Sequence, residues 1–341
     1  MGIVFFRADA SSLIGSGHVM RCLTLAHRLR KEQDAKVVFI MRKLSGNLID
    51  VVRKQGFDVL VLPPADQDYE LEDYDLWLTV PMEVDAKQTI EVLQYYLQEH
   101  CCDVADRLIV DSYALDEQWE QALHPYCREI MVIDDLANRR HDCDILLDQN
   151  FYLNKDVRYV GLVPEHCKML LGPDHALLRE EFYEAKKHLR KRDGNIKNIL
   201  VFYGGSDLTN ETEKAIKALV QLHDEGYNFT ADIITGVSNS RREKIEKICS
   251  KYHFFHYYCQ VSNMAEFMNK ADLMLGAGGA TTWERLYMEL PTLVTAVAEN
   301  QIQGCEDCCK AGMINYLGKA ASVTVGIIKE AIKQMPLPIG D

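Results

Sequence analysis

The sequence has no apolar run approaching the roughly 18 residues that would suggest a membrane span, which sets aside an integral membrane protein. Its start, MGIVFFRADASS, has neither a basic segment nor the longer apolar stretch of an export signal, and it reads directly as a first strand. A cytoplasmic address is expected. Positive charge is also short: 38 Lys and Arg stand against 51 Asp and Glu, a net charge of −13. That balance opposes non-specific binding to nucleic acid, which needs cations to neutralise phosphates. A phosphate-bearing ligand must then be held locally, by backbone donors. Eleven cysteines are present but without a disulfide pattern, being scattered or adjacent as in Cys101-Cys102 and Cys308-Cys309, and reduced thiols are expected. Cys305-x-x-Cys308-Cys309 comes nearest to a metal pattern, yet it lacks a second pair at zinc-ribbon spacing, so a helix with buried thiols is favoured. No DxD-type metal loop is evident, and neither a metal nor a cofactor is expected.

What the chain does have is length and rhythm. At 341 residues it suggests two domains, by a prior of roughly one per 150 residues, and its 48% hydrophobic fraction is ordinary for globular proteins. The first half alternates strand-like runs (3–8, 36–41, 57–62, 107–111, 128–134, 143–148, 167–172) with helical patterns (18–31, 45–55, 86–98, 116–123), the βαβ signature of a parallel sheet. An acidic stretch, DQDYELEDYDLW, reads as a solvated loop. The charged segment EEFYEAKKHLRKRDGN at 180–195 reads as an interdomain connection. From IKNILVFYGG onward the pattern repeats, with strands at 229–235, 253–258, 271–279 and 291–297. Helices are expected at 211–224, 239–250, 262–270, 281–289, 300–311 and near 322–334. The expected fold is α/β: two doubly wound, Rossmann-like domains, residues 1–180 and 195–341 with 181–194 as linker, facing each other across a cleft. Ligands of open α/β sheets bind beyond the carboxyl ends of the strands.

Four strand-to-helix turns stand out. In GSGHVMR, Gly15 and Gly17 allow close backbone approach, and the helix start offers N–H groups and a positive dipole end. The third position of a dinucleotide fingerprint is Met20, so the turn fails that motif. His18 stands at the helix start, where the dipole disfavours an imidazolium; the ring can accept a proton there, or it can simply cap the helix or fill an interface. Asp111-Ser112-Tyr113 ends the strand RLIVD, where an acid and a phenol either face a ligand or bond to loop backbone. Tyr203-Gly204-Gly205-Ser206-Asp207 repeats the strand-glycine design and could hold a diphosphate. The fourth turn lies in GAGGATTWERLYMELPTLVTAVAENQ: Gly278 and Gly279 allow close approach, and Thr281 and Thr282 can cap the helix or bond to phosphate. Glu284 can accept from both hydroxyls of a ribose or only improve the helix start. Asn300 and Gln301 offer amides.

The pairing of RADASSLIGSGHVMRCLTLA with YGGSD, GGATTWERLYMELP and AENQ resembles the pseudaminic-acid pathway hydrolases, which act on UDP-2,4-diacetamido-2,4,6-trideoxy-β-L-altropyranose. These are relatives of the GT-B glycosyltransferases. The resemblance runs from residue 3 to about 312 and includes HDCDILLDQN and GLVPEHCKMLLGPDHALLREEFY. It implies a GT-B-like fold that removes UDP from the sugar by inverting water attack at the anomeric carbon, with His18 as the catalytic residue. It further implies a sugar site that draws on Gly15, Gly17, Arg21, Tyr113, Asn300 and Gln301. UDP would be held in the second domain by Gly204, Gly205, Ser206, Gly278, Gly279, Thr281, Thr282 and Glu284. The partner implied is the UDP-sugar alone, with neither nucleic acid nor membrane. The acidic insertion around 66–85 and the tail beyond 320 depart from the shortest members. A hydrolase of a related UDP-diamino sugar, a GT-B transferase using a UDP-sugar donor and a non-catalytic nucleotide-sugar sensor are the competing readings.

Overall fold

The computed structural model describes residues 2–64 and 77–335, and the chain divides into two compact units, Met1–Leu177 and Leu178–Asp341. The first runs β1 (Ile3–Ala8), α1 (Gly17–Gln33), β2 (Lys36–Arg42), α2 (Ile49–Lys54), β3 (Asp58–Leu62), α3 (Met82–Glu99), β4 (Arg107–Asp111), α4 (Glu117–Leu123), β5 (Ile130–Ile133), β6 (Ile145–Asp148), α5 (Lys155–Arg158) and β7 (Lys168–Leu171). All strands pair in parallel, in the order β3-β2-β1-β4-β5-β6-β7.

Successive side chains of a strand point to opposite faces. Phe5, Ile40, Leu108 and Val132 therefore build one core with Leu93 and Leu97 of α3 and Trp119 and Leu123 of α4. Phe6, Phe39, Ile109 and Met131 build the other with Val19, Leu23 and Ala26 of α1 and Ile49 and Val52 of α2. A sheet covered on both faces is why these strands read as continuous apolar runs. One exception is Arg7, fully buried in β1. Its guanidinium meets Asp85 of α3 and Asp9, each at 2.7 Å, and Asp85 also accepts from Arg42 (2.6 Å) and the Trp119 indole (3.1 Å). Buried charge is tolerable only when paired and hydrogen-bonded in this way.

The second unit runs α6 (Glu180–Lys186), β8 (Asn198–Phe202), α7 (Glu211–Asp224), β9 (Thr230–Thr235), α8 (Arg242–Cys249), β10 (Phe255–Cys259), α9 (Met264–Lys270), β11 (Leu273–Ala277), α10 (Thr281–Tyr287), β12 (Thr292–Ala296), α11 (Ile302–Lys310), β13 (Asn315–Lys319) and α12 (Val325–Lys333). Its parallel sheet has the order β10-β9-β8-β11-β12-β13. In both sheets the order reverses beside the unit's first strand, between β1 and β4 and between β8 and β11. Those two switch points are where ligands of doubly wound sheets bind.

Two departures from the sequence reading bear on the fold. No strand was expected at Asn315–Lys319. The half-buried run NYLGK, interrupted by Gly318 at φ +122°, forms an edge strand without an apolar signature. The segment 181–194, expected to be a bare connection, packs within the second unit: Arg190 donates to the carbonyls of Asn269, Lys270 and Ala271, and Arg192 to those of Met268, Ala271, Met288 and Glu289. The helix expected near 322–334 is α12, with Ile328 and Ile332 buried against α7 and the sheet. The acidic stretch DQDYELEDYDLW lies outside the described residues except for Trp77. Among the described residues no helix is long and apolar enough to cross a membrane. Cys305 and Cys308 are buried on α11 and unpaired.

Candidate active site

The β1–α1 turn is shaped by its own short-range bonds. Ser11 Oγ accepts from the amides of Leu13 and Ile14, the Gly15 amide returns to the Ser11 carbonyl at 2.9 Å, and Gly15 takes φ +80°, which favours glycine. A Cβ on Gly17 would meet nothing within 4 Å. The turn delivers His18 to the switch point, 7% exposed, beside the end of β4. There His18 Nδ1 lies 2.6 Å from Asp111 Oδ1. Because an ionised carboxylate can only accept, this bond puts the proton on Nδ1 and the ring's basic lone pair on Nε2.

Asp111 is itself held from a second side. Arg21, one helical turn beyond His18, donates from Nε to Asp111 Oδ2 (2.6 Å) and from Nη2 to Oδ1 (2.7 Å). Burial alone would raise this carboxyl, but Arg21 and then His18 hold it far below the ordinary carboxylate range. The remaining Arg21 nitrogen, Nη1, reaches Asp135 Oδ2 at 3.0 Å. The Tyr113 hydroxyl donates to Asp135 Oδ1 at 2.5 Å, and the Tyr113 ring stands edge-on to His18 with centroids 4.6 Å apart. A cavity here is lined by Asp9, Ile14, His18, Trp77, Leu78, Asp111 and Ser112. A histidine that can take a proton on Nε2 while Asp111 balances the charge on Nδ1 is suited to general-base work.

The structure thus brings together Gly15, Gly17, His18, Arg21 and Tyr113 of the expected site residues. Arg21, expected on the substrate side, uses its guanidinium on two carboxylates in this structure. Asp135 and Trp77 were missed. The doubled acid that closes REIMVIDD, at a strand's carboxyl end like the acid of RLIVD, is the signal that could have found Asp135.

The other expected residues gather at the second switch point. After β8, Gly204 has φ +92°, and Gly205 packs so closely on Gly236 that a Cβ on the latter would lie 2.5 Å from its backbone. Asp207 caps α7 by accepting from the Glu211 and Thr212 amides at 2.9 and 3.0 Å, so those two donors are engaged within the chain. After β11, Gly278 sits where a Cβ would strike Cys305 Sγ at 2.2 Å, and Gln301 Oε1 accepts from the Val297 amide at 3.0 Å. Asn300 is half-buried in the turn after β12.

Thr282 Oγ1 accepts from Arg285 Nη2 at 2.7 Å. Arg285 is fully buried, Nε and Nη1 have no hydrogen-bond partner among the described residues, and burial pulls its pKa down to about 10. A cation beneath a turn of small residues favours an anion there. Glu284 Oε1 is held by Arg179 (3.1 Å from Nε, 3.0 Å from Nη2); burial raises the carboxyl and Arg179 opposes the rise. Among the described residues no cluster of His, Cys, Asp and Glu is placed to hold a metal ion.

Comparison with known proteins places the chain by class first. The glycosyltransferase family 28 C-terminal domain matches residues 199–304. The crystal structure of MurG from Acinetobacter baumannii has the same fold at 13% identity, with a TM-score of 0.62, over 98% of this chain and 90% of that one. The protein has a two-domain α/β, GT-B-like fold. By sequence it is similar to the UDP-2,4-diacetamido-2,4,6-trideoxy-β-L-altropyranose hydrolase of Campylobacter jejuni, 26% identical over 298 residues that cover 87% of this chain and 93% of that protein. It is also similar to an uncharacterized protein of Methanocaldococcus jannaschii, 25% identical over 331 residues; the match covers 94% of this chain and only 60% of that longer protein.

Proposed function

We propose that the protein hydrolyses a UDP-activated diacetamido-trideoxyhexose, UDP-2,4-diacetamido-2,4,6-trideoxy-β-L-altropyranose being the substrate favoured, as a step of pseudaminic acid synthesis. Water attacks the anomeric carbon with inversion. The observation that carries this reading is the His18–Asp111 pair at the switch point of the first sheet. The similarity to the Campylobacter hydrolase supports the choice of sugar.

In this reading His18 Nε2 takes a proton from the attacking water, and Asp111 stabilises the imidazolium that results. Such a base contributes about 10²–10⁴-fold. The departing UDP needs little acid assistance, because a diphosphate is stable as an anion and backbone donors can receive it. Gly204–Ser206 and Gly279–Thr281 supply those donors, the Gly278 and Thr282 amides being engaged by the carbonyls of Thr295 and Gly279, with the Arg285 charge beneath the second turn. Glu284 keeps Oε2 for a ribose hydroxyl while Arg179 engages Oε1. The route needs no metal.

The test is release of UDP from a small panel of UDP-diacetamido-trideoxyhexoses by the purified protein. Turnover of one member without any acceptor supports the hydrolase. A panel left intact until an alcohol acceptor is added would overturn it in favour of a transferase.

A further inference from the structure

β11 reads LMLGA, and a glycine inside a strand weakens it, so its presence marks a close approach by another group. That group is Arg285. A Cβ on Gly276 would lie 2.3 Å from Arg285 Nη1, so the guanidinium occupies the space that a side chain would have filled. From there Nη2 donates to the Ala277 carbonyl at 2.8 Å and to Thr282 Oγ1 at 2.7 Å. The turn 277–282 therefore lies over the cation: Arg285 is fully buried, whereas Ala277, Gly278 and Gly279 are half-buried and Ala280 is exposed.

Inside the chain this charge has no counter-ion. Nε and Nη1 have no hydrogen-bond partner, and Arg285 forms no ion pair among the described residues. The adjacent acid, Glu284, is bonded to Arg179 instead. Burial lowers the Arg285 pKa only to about 10, so the guanidinium is a cation at neutral pH. A buried, unpaired charge is costly, and departures of this kind from ordinary packing belong to functional sites. Negative charge brought to the outer face of the turn offsets that cost. One layer of backbone keeps such an anion from touching the guanidinium, yet through a low-dielectric interior the two charges interact more strongly than they would in water.

We propose that Arg285 is a specificity-determining residue that reads charge without contact: through its field the turn 277–282 ranks ligands by their phosphate charge, a nucleoside diphosphate above a monophosphate and both above the bare nucleoside. This rests on the second unit being the nucleotide site. The turn amides recognise the shape of a phosphate and are present whatever residue stands at 285. Arg285 adds dependence on the number of charges.

The experiment measures the affinities of uridine, UMP, UDP and inorganic pyrophosphate for the full chain by calorimetry, in wild type, Arg285→Met and Arg285→Lys, with circular dichroism checking each fold. In Arg285→Met the UDP-to-uridine affinity ratio should fall about tenfold or more, with UMP intermediate and uridine itself changed less than about twofold. Arg285→Lys, which keeps the charge, should retain much of the ratio. Because the charge is buried, the difference between wild type and Arg285→Met should persist from about 50 mM to about 500 mM salt. If Arg285→Met does not fold, Arg285→Gln takes its place.

An equal loss for all three uridine ligands would make Arg285 a structural support of the turn and overturn the proposal. An unchanged ratio, or a difference that disappears at high salt, would overturn it as well. If no uridine ligand binds, pyrophosphate carries the test. Binding about tenfold weaker in Arg285→Met would then support the proposal while overturning the nucleotide reading, and equal binding, or none to either protein, would overturn both.

Discussion

His18 and Asp111 are 93 positions apart in sequence and 2.6 Å apart in the fold, and the chemistry assigned to the first unit depends on that pair. His18→Ala or His18→Asn should abolish sugar turnover while leaving UDP affinity within a few-fold, because the nucleotide is assigned to residues of the second unit. Substantial activity in His18→Ala would demote the residue to a structural cap. A second prediction concerns Asp148, which burial, with the charge of Asp135 adding, pushes up to about 7. Its folded value lies above the unfolded one of roughly 4, so the native state binds the extra proton between these limits and stability falls as the pH rises through them. Asp148→Asn should remove up to roughly 4 kcal/mol of that fall between pH 4 and 8, read by chemical denaturation; parallel curves for variant and wild type would contradict it. The two residues also show what sequence makes legible. His18 could be read because its turn and helix are local features. Asp135 closes a strand as Asp111 does, but the guanidinium that gives it its place lies 114 positions away.

At the scale of elements, most strands and helices were read nearly to their ends because the central strands are apolar on both faces and their connections are punctuated by glycine or charge. β13 escaped because an edge strand needs no apolar run. The segment 181–194 escaped because its arginines look like solvent-facing charge, whereas Arg192 satisfies the carbonyls of Met288 and Glu289 at the end of α10 and those of Met268 and Ala271 around the end of α9. Helix ends leave such acceptors without partners in the helix. Arg192→Ala should therefore lower the stability of the chain by roughly 1–3 kcal/mol in chemical denaturation, and a change within error would show the contacts to be idle. The turn after β11 makes a parallel demand. Glu284→Ala should weaken UDP binding by roughly 1–3 kcal/mol, through lost charged hydrogen bonds to the ribose. Unchanged affinity in calorimetry would leave Glu284 as the partner of Arg179 alone.

At the scale of the molecule, two sheets of the same winding carry different chemistry at equivalent places, a base with its carboxylate in the first and small-residue turns above a buried cation in the second. The fold alone does not choose among reactions. The central claim is that water attacks carbon and not phosphorus, and it follows from assigning His18 to the sugar and both glycine turns to the diphosphate. The most direct measurement is a single-turnover reaction in heavy-oxygen water, quenched early because the free sugar exchanges its anomeric oxygen and mutarotates, with mass spectrometry of both products and proton NMR of the sugar. The label should appear in the anomeric hydroxyl of an inverted sugar, and the UDP should carry none; label in the UDP would mean attack at phosphorus and would contradict the role given to His18.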